Sequence, residues 1–443
     1  MGLLAGVLLL GTATGARHQE GYPPIPDSAC AASTTTAKSS GTPAPDLDGD
    51  GHRDLALGVP ASNGDVYETG RVALLPGSAH GPRTAARSVF TPTDFDLPEH
   101  DAMTFYQTAP VVADLDGDGH LDLVAGGSAH VQWGGAHGPD PGRRAARIPL
   151  PHMGKGQPVH IYKGNDAYED PPVAGDFDGD GHVDLATYRT GLHERHLVVL
   201  KGPFTRTGKP ARITERADPY TDDADAVTGL RLIAADMTGD RATDLLMYDE
   251  GEPEHPKLLA GGADTAGGLA AHAERLPTGE NVAVGDFDGD GRPDIALGDS
   301  GVPMDDEFAP RDRKGKVTIR YAKAPDAPVV IDGGTRKGGF GIDLKSADIN
   351  GDGCDDLAVR SDDDRVGGND RVDVLRGGSA PGLGSEPWDR LPRLSGRLVD
   401  AVDLDGDGRD ELVLAAGHTW SVVDGTGKKT VSFDIRKVAR KPR

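Results

Sequence analysis

A single nine-residue pattern, Asp-x-Asp-x-Asp-Gly-x-x-Asp, dominates the chain, beginning at Asp46, Asp114, Asp176, Asp236, Asp286, Asp348 and Asp403. Successive copies lie 68, 62, 60, 50, 62 and 55 residues apart, a mean of about 60. A fixed period of that order marks a repeat architecture, in which each unit buries its apolar faces only against its neighbours. Four copies are complete: Asp46, Asp48, Asp50 and Asp54; Asp114, Asp116, Asp118 and Asp122; Asp176, Asp178, Asp180 and Asp184; and Asp286, Asp288, Asp290 and Asp294. The fourth copy keeps Asp236, Asp240 and Asp244 but has Thr238 for Asp and Arg241 for Gly. In the sixth, Asn350 stands with Asp348, Asp352 and Asp356, and the seventh runs Asp403, Asp405, Asp407 to Glu411.

The flanks repeat too. A short run ending in a small residue precedes each loop from the second onward, such as Val111-Val112-Ala113 or Val173-Ala174-Gly175. A β-like run follows, such as Leu55-Ala56-Leu57-Gly58 or Leu412-Val413-Leu414-Ala415. A third run ends in a glycine turn (Arg71 to Gly77, Arg371 to Gly377), and a weaker fourth completes the unit. Seven units of four short antiparallel strands predict an all-β, seven-bladed β-propeller, whose closed ring protects the strand edges. Length alone would suggest about three domains; the repeat makes one, spanning residues 40–435.

Carboxylates at the first, third, fifth and ninth positions are expected to converge on a cation, since repulsion would otherwise splay the loop. Glycines at the fourth and sixth positions, Gly49 and Gly51 in the first copy, permit the tight turn. The donors are hard oxygens with no His or Cys, which favours Ca²⁺ over zinc, and the ligand count disfavours Mg²⁺. An EF-hand would need Glu at position 12, where these loops carry Leu57, Ala125, Thr187, Met247, Leu297, Val359 and Leu414. The loops hold 26 acidic ligands, leaving 45 of the 71 acids against 47 basic residues. The net charge of −24 is therefore the charge of the loops, and six calcium ions would halve it. Six or seven structural Ca²⁺ are expected. Loops of this kind in extracellular modules bind at about 0.1–1 mM, which is useful where calcium is near millimolar.

These residues resemble the FG-GAP repeat of integrin α-subunit N-terminal β-propellers, also called VCBS-like. Phe340-Gly341 ahead of Asp348, and Leu57-Gly58-Val59-Pro60 after the first loop, are similar to its Phe-Gly and Gly-Ala-Pro marks. The resemblance covers about residues 40–435 and is most specific in the acidic loops. It implies calcium between the first two strands of each blade, on one face, with ligands met on the opposite face. It also implies an adhesion-type role.

The N-terminus points to export. Residues 1–16 read as a signal segment, with an apolar stretch from Leu3 to Ala13 and small residues after it, although no Lys or Arg precedes Arg17. Residues 17–39 read as a linker, with residues 31–45 a small-polar stretch or a weak first strand, and 436–443 as a frayed basic tail. Cys30 and Cys354 are free or paired with each other. Five Asn and abundant Ala, Gly, Arg and Asp fit a GC-rich bacterial source. The acidic surface opposes phosphate backbones, so no nucleic-acid partner is expected. No apolar run reaches the ~18 residues of a membrane-spanning helix. A monomer is expected.

Catalytic signals are thin. His193-Glu194-Arg195-His196 is one residue short of HExxH, and Gly77-Ser78-Ala79-His80-Gly81 fits a structural turn better than a nucleophile elbow. The expected partner is an extracellular protein or glycan, met by long loops opposite the acidic ones: 299–315 with Met304 and Phe308, 361–370, 92–106 with Phe95, and 154–171 with Tyr162 and Tyr168. The alternative is an exported carbohydrate-active enzyme, such as a polysaccharide lyase, with its site in the central cleft, since propellers host both binding and catalysis.

Overall fold

The structure is a computed structural model. It describes residues 30, 46–59, 70–95, 110–125, 130–149, 172–190, 195–220, 230–250, 254–301, 315–333, 339–361, 371–378, 383, 389–391, 394 and 396–441. The signal segment, the linker apart from Cys30, and most of the long loops lie outside these residues.

Each repeat forms one antiparallel sheet whose strands follow chain order. The first blade comprises β1 (Leu55–Val59), β2 (Arg71–Leu75) and β3 (Ser88–Phe90); its expected innermost strand falls in residues 31–45, outside the described part. The second holds β4 (Val111–Ala113), β5 (Asp122–Val124), β6 (His130–Gln132) and β7 (Ala146–Arg147). The third holds β8 (Val173–Gly175), β9 (Asp184–Thr190), β10 (Arg195–Lys201) and β11 (Arg212–Ala217). The fourth holds β12 (Leu230–Ala235), β13 (Asp244–Asp249), β14 (Lys257–Leu259) and β15 (Glu274–Arg275). The fifth holds β16 (Asn281–Gly285), β17 (Asp294–Asp299), β18 (Lys316–Arg320) and β19 (Val329–Asp332). The sixth holds β20 (Asp343–Ala347), β21 (Asp356–Ser361), β22 (Arg371–Leu375) and β23 (Asp389–Leu391). The last holds β24 (Arg397–Val402), β25 (Glu411–Ala416), β26 (Thr419–Val423) and β27 (Lys429–Asp434).

The core is divided in the way a propeller requires. The seven apolar clusters among the described residues correspond one to one with the seven junctions between neighbouring blades. Strand alternation explains this, because successive side chains point to opposite faces of a blade. In β17, Ile295 and Leu297 pack toward the fourth blade while Ala296 packs toward the sixth. In β25, Leu412 and Leu414 face the sixth blade and Val413 faces the first.

The ring closes between the last blade and the first. Leu55, Leu57 and Leu75 pack there with Val413, Val422 and the short helix α1 (Ile435–Val438). This corrects the expectation of a frayed basic tail at 436–443. Val438 and Ala439 are buried, and Arg87 donates to the carbonyls of Lys437, Val438 and Arg440 at 3.0, 2.8 and 2.7 Å. Arg71 adds a bond to the Ala439 carbonyl at 2.7 Å. The basic side chains of this end escape to solvent while its backbone seals the seam.

Candidate metal centres

From the second blade onward, the acidic loops join the first and second strands of a blade, so they emerge on one end of the ring. The first loop, Asp46 to Asp54, leads into β1 in the same way. Its first carboxylate is a hub: Asp46 Oδ1 accepts from Gly49 and Asp50 N–H at 2.7 and 3.0 Å, and Oδ2 from Gly51 at 2.9 Å. Asp50 accepts from the His52 N–H at 3.0 Å. Gly49 and Gly51 sit at φ +74° and +89°, the left-handed region that a side chain rarely adopts. The same bonds recur around Asp114, Asp236 and Asp348, and in part around Asp176, Asp286 and Asp403. Backbone N–H groups thus brace the shape of the loops from within.

The ninth carboxylate is buried and ties three places together. Asp54 accepts from Leu47 N–H at 2.8 Å and from Gly77, after β2, at 2.8 Å. Asp122 bonds Leu115 and Gly134, Asp184 bonds Phe177 and Gly202, Asp244 bonds Met237 and Gly261, and Asp294 bonds Phe287 and Ala322. Asp356 bonds Gly377, and Glu411 bonds Leu404. Burial pushes these carboxyls up, against the pull of the N–H groups: Asp54 and Asp244 to about 6, Asp122 and Asp184 to about 7, Asp294 to about 8 and Glu411 to about 9.

Side-chain oxygens converge within 4.8 Å of one another in Asp46/Asp48/Asp50, Asp114/Asp116/Asp122, Asp176/Asp178/Asp184 and Asp286/Asp288/Asp290. Asp116 Oδ1, Asp178 Oδ1 and Asp356 Oδ2 are buried without a hydrogen-bond partner among the described residues. Hard, convergent oxygens with unused lone pairs fit a calcium ion, except that in the third loop the Lys201 ammonium already contacts Asp178 and lies 3.7 Å from Asp184. In the fourth loop Thr238 supplies no charge and instead donates its backbone N–H to Asp244 at 2.7 Å. Arg241 there is held at φ +81°, the one non-glycine in the left-handed region among the described residues. In the sixth loop Asn350 hydrogen-bonds Asp352 at 3.0 Å, and in the seventh Asp405 and Asp407 lie beside Glu411 and help raise it.

Three features of these loops are not evident in the spacing of the carboxylates. The second position is always a large apolar residue, from Leu47 to Leu404, and each is buried in the junction with the next blade; its constancy was visible in the sequence. Basic side chains approach the third-position carboxylates of the complete loops. Arg83 lies 3.6 Å from Asp48, Arg206 lies 2.6 Å from Asp116, and Lys201 and Lys323 contact Asp178 and Asp288. These pairs join residues tens of positions apart, which no local pattern reveals. Finally, the eighth position reaches the preceding loop. Thr243 bonds Asp176, Asp355 bonds Asp286, and Asp410 bonds Asp348.

Cys30 and Cys354 form a disulfide with a Cα–Cα distance of 5.4 Å. Cys354 is the seventh residue of the sixth loop, and Cys30 lies against Gly289 of the fifth, so the bridge fixes the N-terminal segment to the acidic face.

Of the residues expected to meet a ligand, Met304, Phe308, Tyr162, Tyr168 and the 362–370 stretch lie outside the described residues. Phe95 is corrected: it is fully buried against Phe90 in the first junction and presents nothing to solvent. His193 and Glu194 also lie outside the described residues, and Ser78 is a turn residue whose hydroxyl donates to the Gly81 carbonyl at 2.7 Å. Among the described residues no helix is long and apolar enough to cross a membrane.

Family comparison matches the FG-GAP repeat at residues 39–75 and 278–319, the first and fifth units. No curated protein sequence matches the chain. Among solved structures, the chain is similar to an Agrocybe aegerita lectin, described for recognition of non-reducing terminal N-acetylglucosamine, at 15% identity and TM-score 0.49, covering 86% of this chain and 89% of that one. An ACO/RPE65 chimera matches at 12% identity and TM-score 0.41, over 90% and 92% of the two chains. Neither score reaches 0.5, and the fold rests on this chain's own sheets and junctions. Seven antiparallel blades with an acidic loop in each make the chain a seven-bladed β-propeller, and its first and fifth units match the FG-GAP repeat.

Proposed function

We infer that the protein is an exported propeller, stabilised by calcium in its acidic loops, which binds an extracellular protein or glycan. The observation that carries this reading is the placement of the loop carboxylates. The first and ninth are engaged by backbone N–H groups, and several loops are bonded to the loop before them. Carboxylates so deeply built into the scaffold suit a structural ion, because a catalytic metal keeps open positions for substrate. Asp46, Asp114, Asp286, Asp348 and Asp403, with the third, fifth and ninth residues of their loops, would hold the ions; when bound, calcium would neutralise the buried carboxylates. The Cys30–Cys354 bridge supports export, since disulfides persist in oxidising compartments. The acidic end is thus the structural face, which leaves the opposite end for the ligand.

Calcium-loaded protein should be incubated with a panel of polysaccharides and extracellular matrix proteins. Saturable retention without turnover is the expected result. Release of shortened sugar products would favour the carbohydrate-active enzyme instead.

A further inference from the structure

Lys201 differs from the other basic residues near the loops. Arg83, Arg206 and Lys323 approach their carboxylates with side chains 44%, 47% and 51% exposed, so each can swing away into water. The Lys201 side chain is 6% exposed. It ends β10, immediately before Gly202, whose N–H binds Asp184. The equivalent residues of other blades are Pro76, Trp133, Ala260, Tyr321 and the half-buried Arg376. From that place the ammonium contacts Asp178 and lies 3.7 Å from Asp184 Oδ2, and the Asp176 charge also acts on it. It therefore occupies the space among three of the four carboxylates on which the third loop would otherwise centre a metal.

We propose that Lys201 is the built-in cation of the third loop, which holds its shape without calcium although its acidic pattern is complete. A buried ammonium and a divalent ion a few ångströms apart repel strongly at low dielectric, and the side chain is almost wholly enclosed where it stands. The third blade is then rigid at low calcium, while the blades whose loops take calcium depend on the ion. This inference rests on the calcium reading of the other complete loops.

The test counts calcium ions by native mass spectrometry and calorimetry in four full-length proteins: wild type, Lys201→Met, Asp176→Asn, and the double variant. Lys201→Met should bind one ion more than wild type. Asp176→Asn should leave the wild-type count unchanged and abolish the extra ion in the double variant. Thermal melts with and without calcium check folding; a Lys201→Met protein that folds only with calcium would also support the proposal. Equal counts in wild type and Lys201→Met, with one ion lost in Asp176→Asn alone, would overturn it and leave the calcium reading intact. No ion in any of the four would overturn both.

Discussion

The carboxylate of Asp355 accepts the backbone N–H of Asp286 at 2.8 Å, and the Asp355 N–H returns a bond to the Asp286 carbonyl at 3.0 Å. One acidic loop is thereby clipped to the next across a blade junction. Asp410 makes the same pair of bonds with Asp348, both at 2.9 Å, so the fifth, sixth and seventh loops form a continuous chain. Asp355→Ala leaves a buried N–H unpaired and should lower stability by about 1–3 kcal/mol. Asp355→Asn keeps an acceptor and sheds a charge that burial disfavours, so it should cost less than about 1 kcal/mol. Denaturant melts of the two variants check the contrast; equal losses would show that the clip does not matter.

Arg241 occupies the left-handed turn that the other six loops give to glycine. A side chain there costs about 1–2 kcal/mol, so Arg241→Gly should raise stability by about 1 kcal/mol. A thermal melt reads this directly. An unchanged or lowered Tm would mean that the exposed guanidinium compensates for the backbone.

Asp343, on the innermost strand of the sixth blade, accepts the Leu398 N–H of the seventh at 2.8 Å. Burial raises its carboxyl to about 6, with Lys345, Arg360 and Arg397 opposing the rise. The native state then holds a proton that the unfolded chain, titrating near 4, has released. Stability from this group is full below about pH 4 and is lost as pH rises through about 6. Asp343→Asn should flatten that part of the Tm–pH curve while leaving the fold intact, and an unaltered curve would dismiss the effect.

The Cys30–Cys354 bridge spans 324 residues of sequence. Closing so long a loop should contribute about 2–4 kcal/mol, so Cys30→Ser or a reductant should lower Tm measurably. Equal melts of oxidised and reduced protein would show that the N-terminal segment is held by other contacts.

The blade count and the acidic loops were legible because Asp and Gly recur at fixed offsets. What the sequence concealed joins residues far apart. Arg87 meets Arg440 only because the ring closes, Lys201 meets Asp178 only across its own blade, and Asp355 meets Asp286 only across a junction. Phe95 was misjudged because an aromatic in a predicted connection looks exposed until the neighbouring blade covers it. The buried end of the chain was not legible because the Arg and Lys residues at 436, 437, 440 and 441 flank the apolar pair Val438 and Ala439 and conceal it.

Calcium titration of chelator-stripped protein by calorimetry, paired with thermal melts at zero and about 2 mM calcium, tests the central claim most directly. The account predicts binding at the first, second, fifth, sixth and seventh loops, together with a large rise in Tm. One site or none, with an unchanged melt, would contradict it.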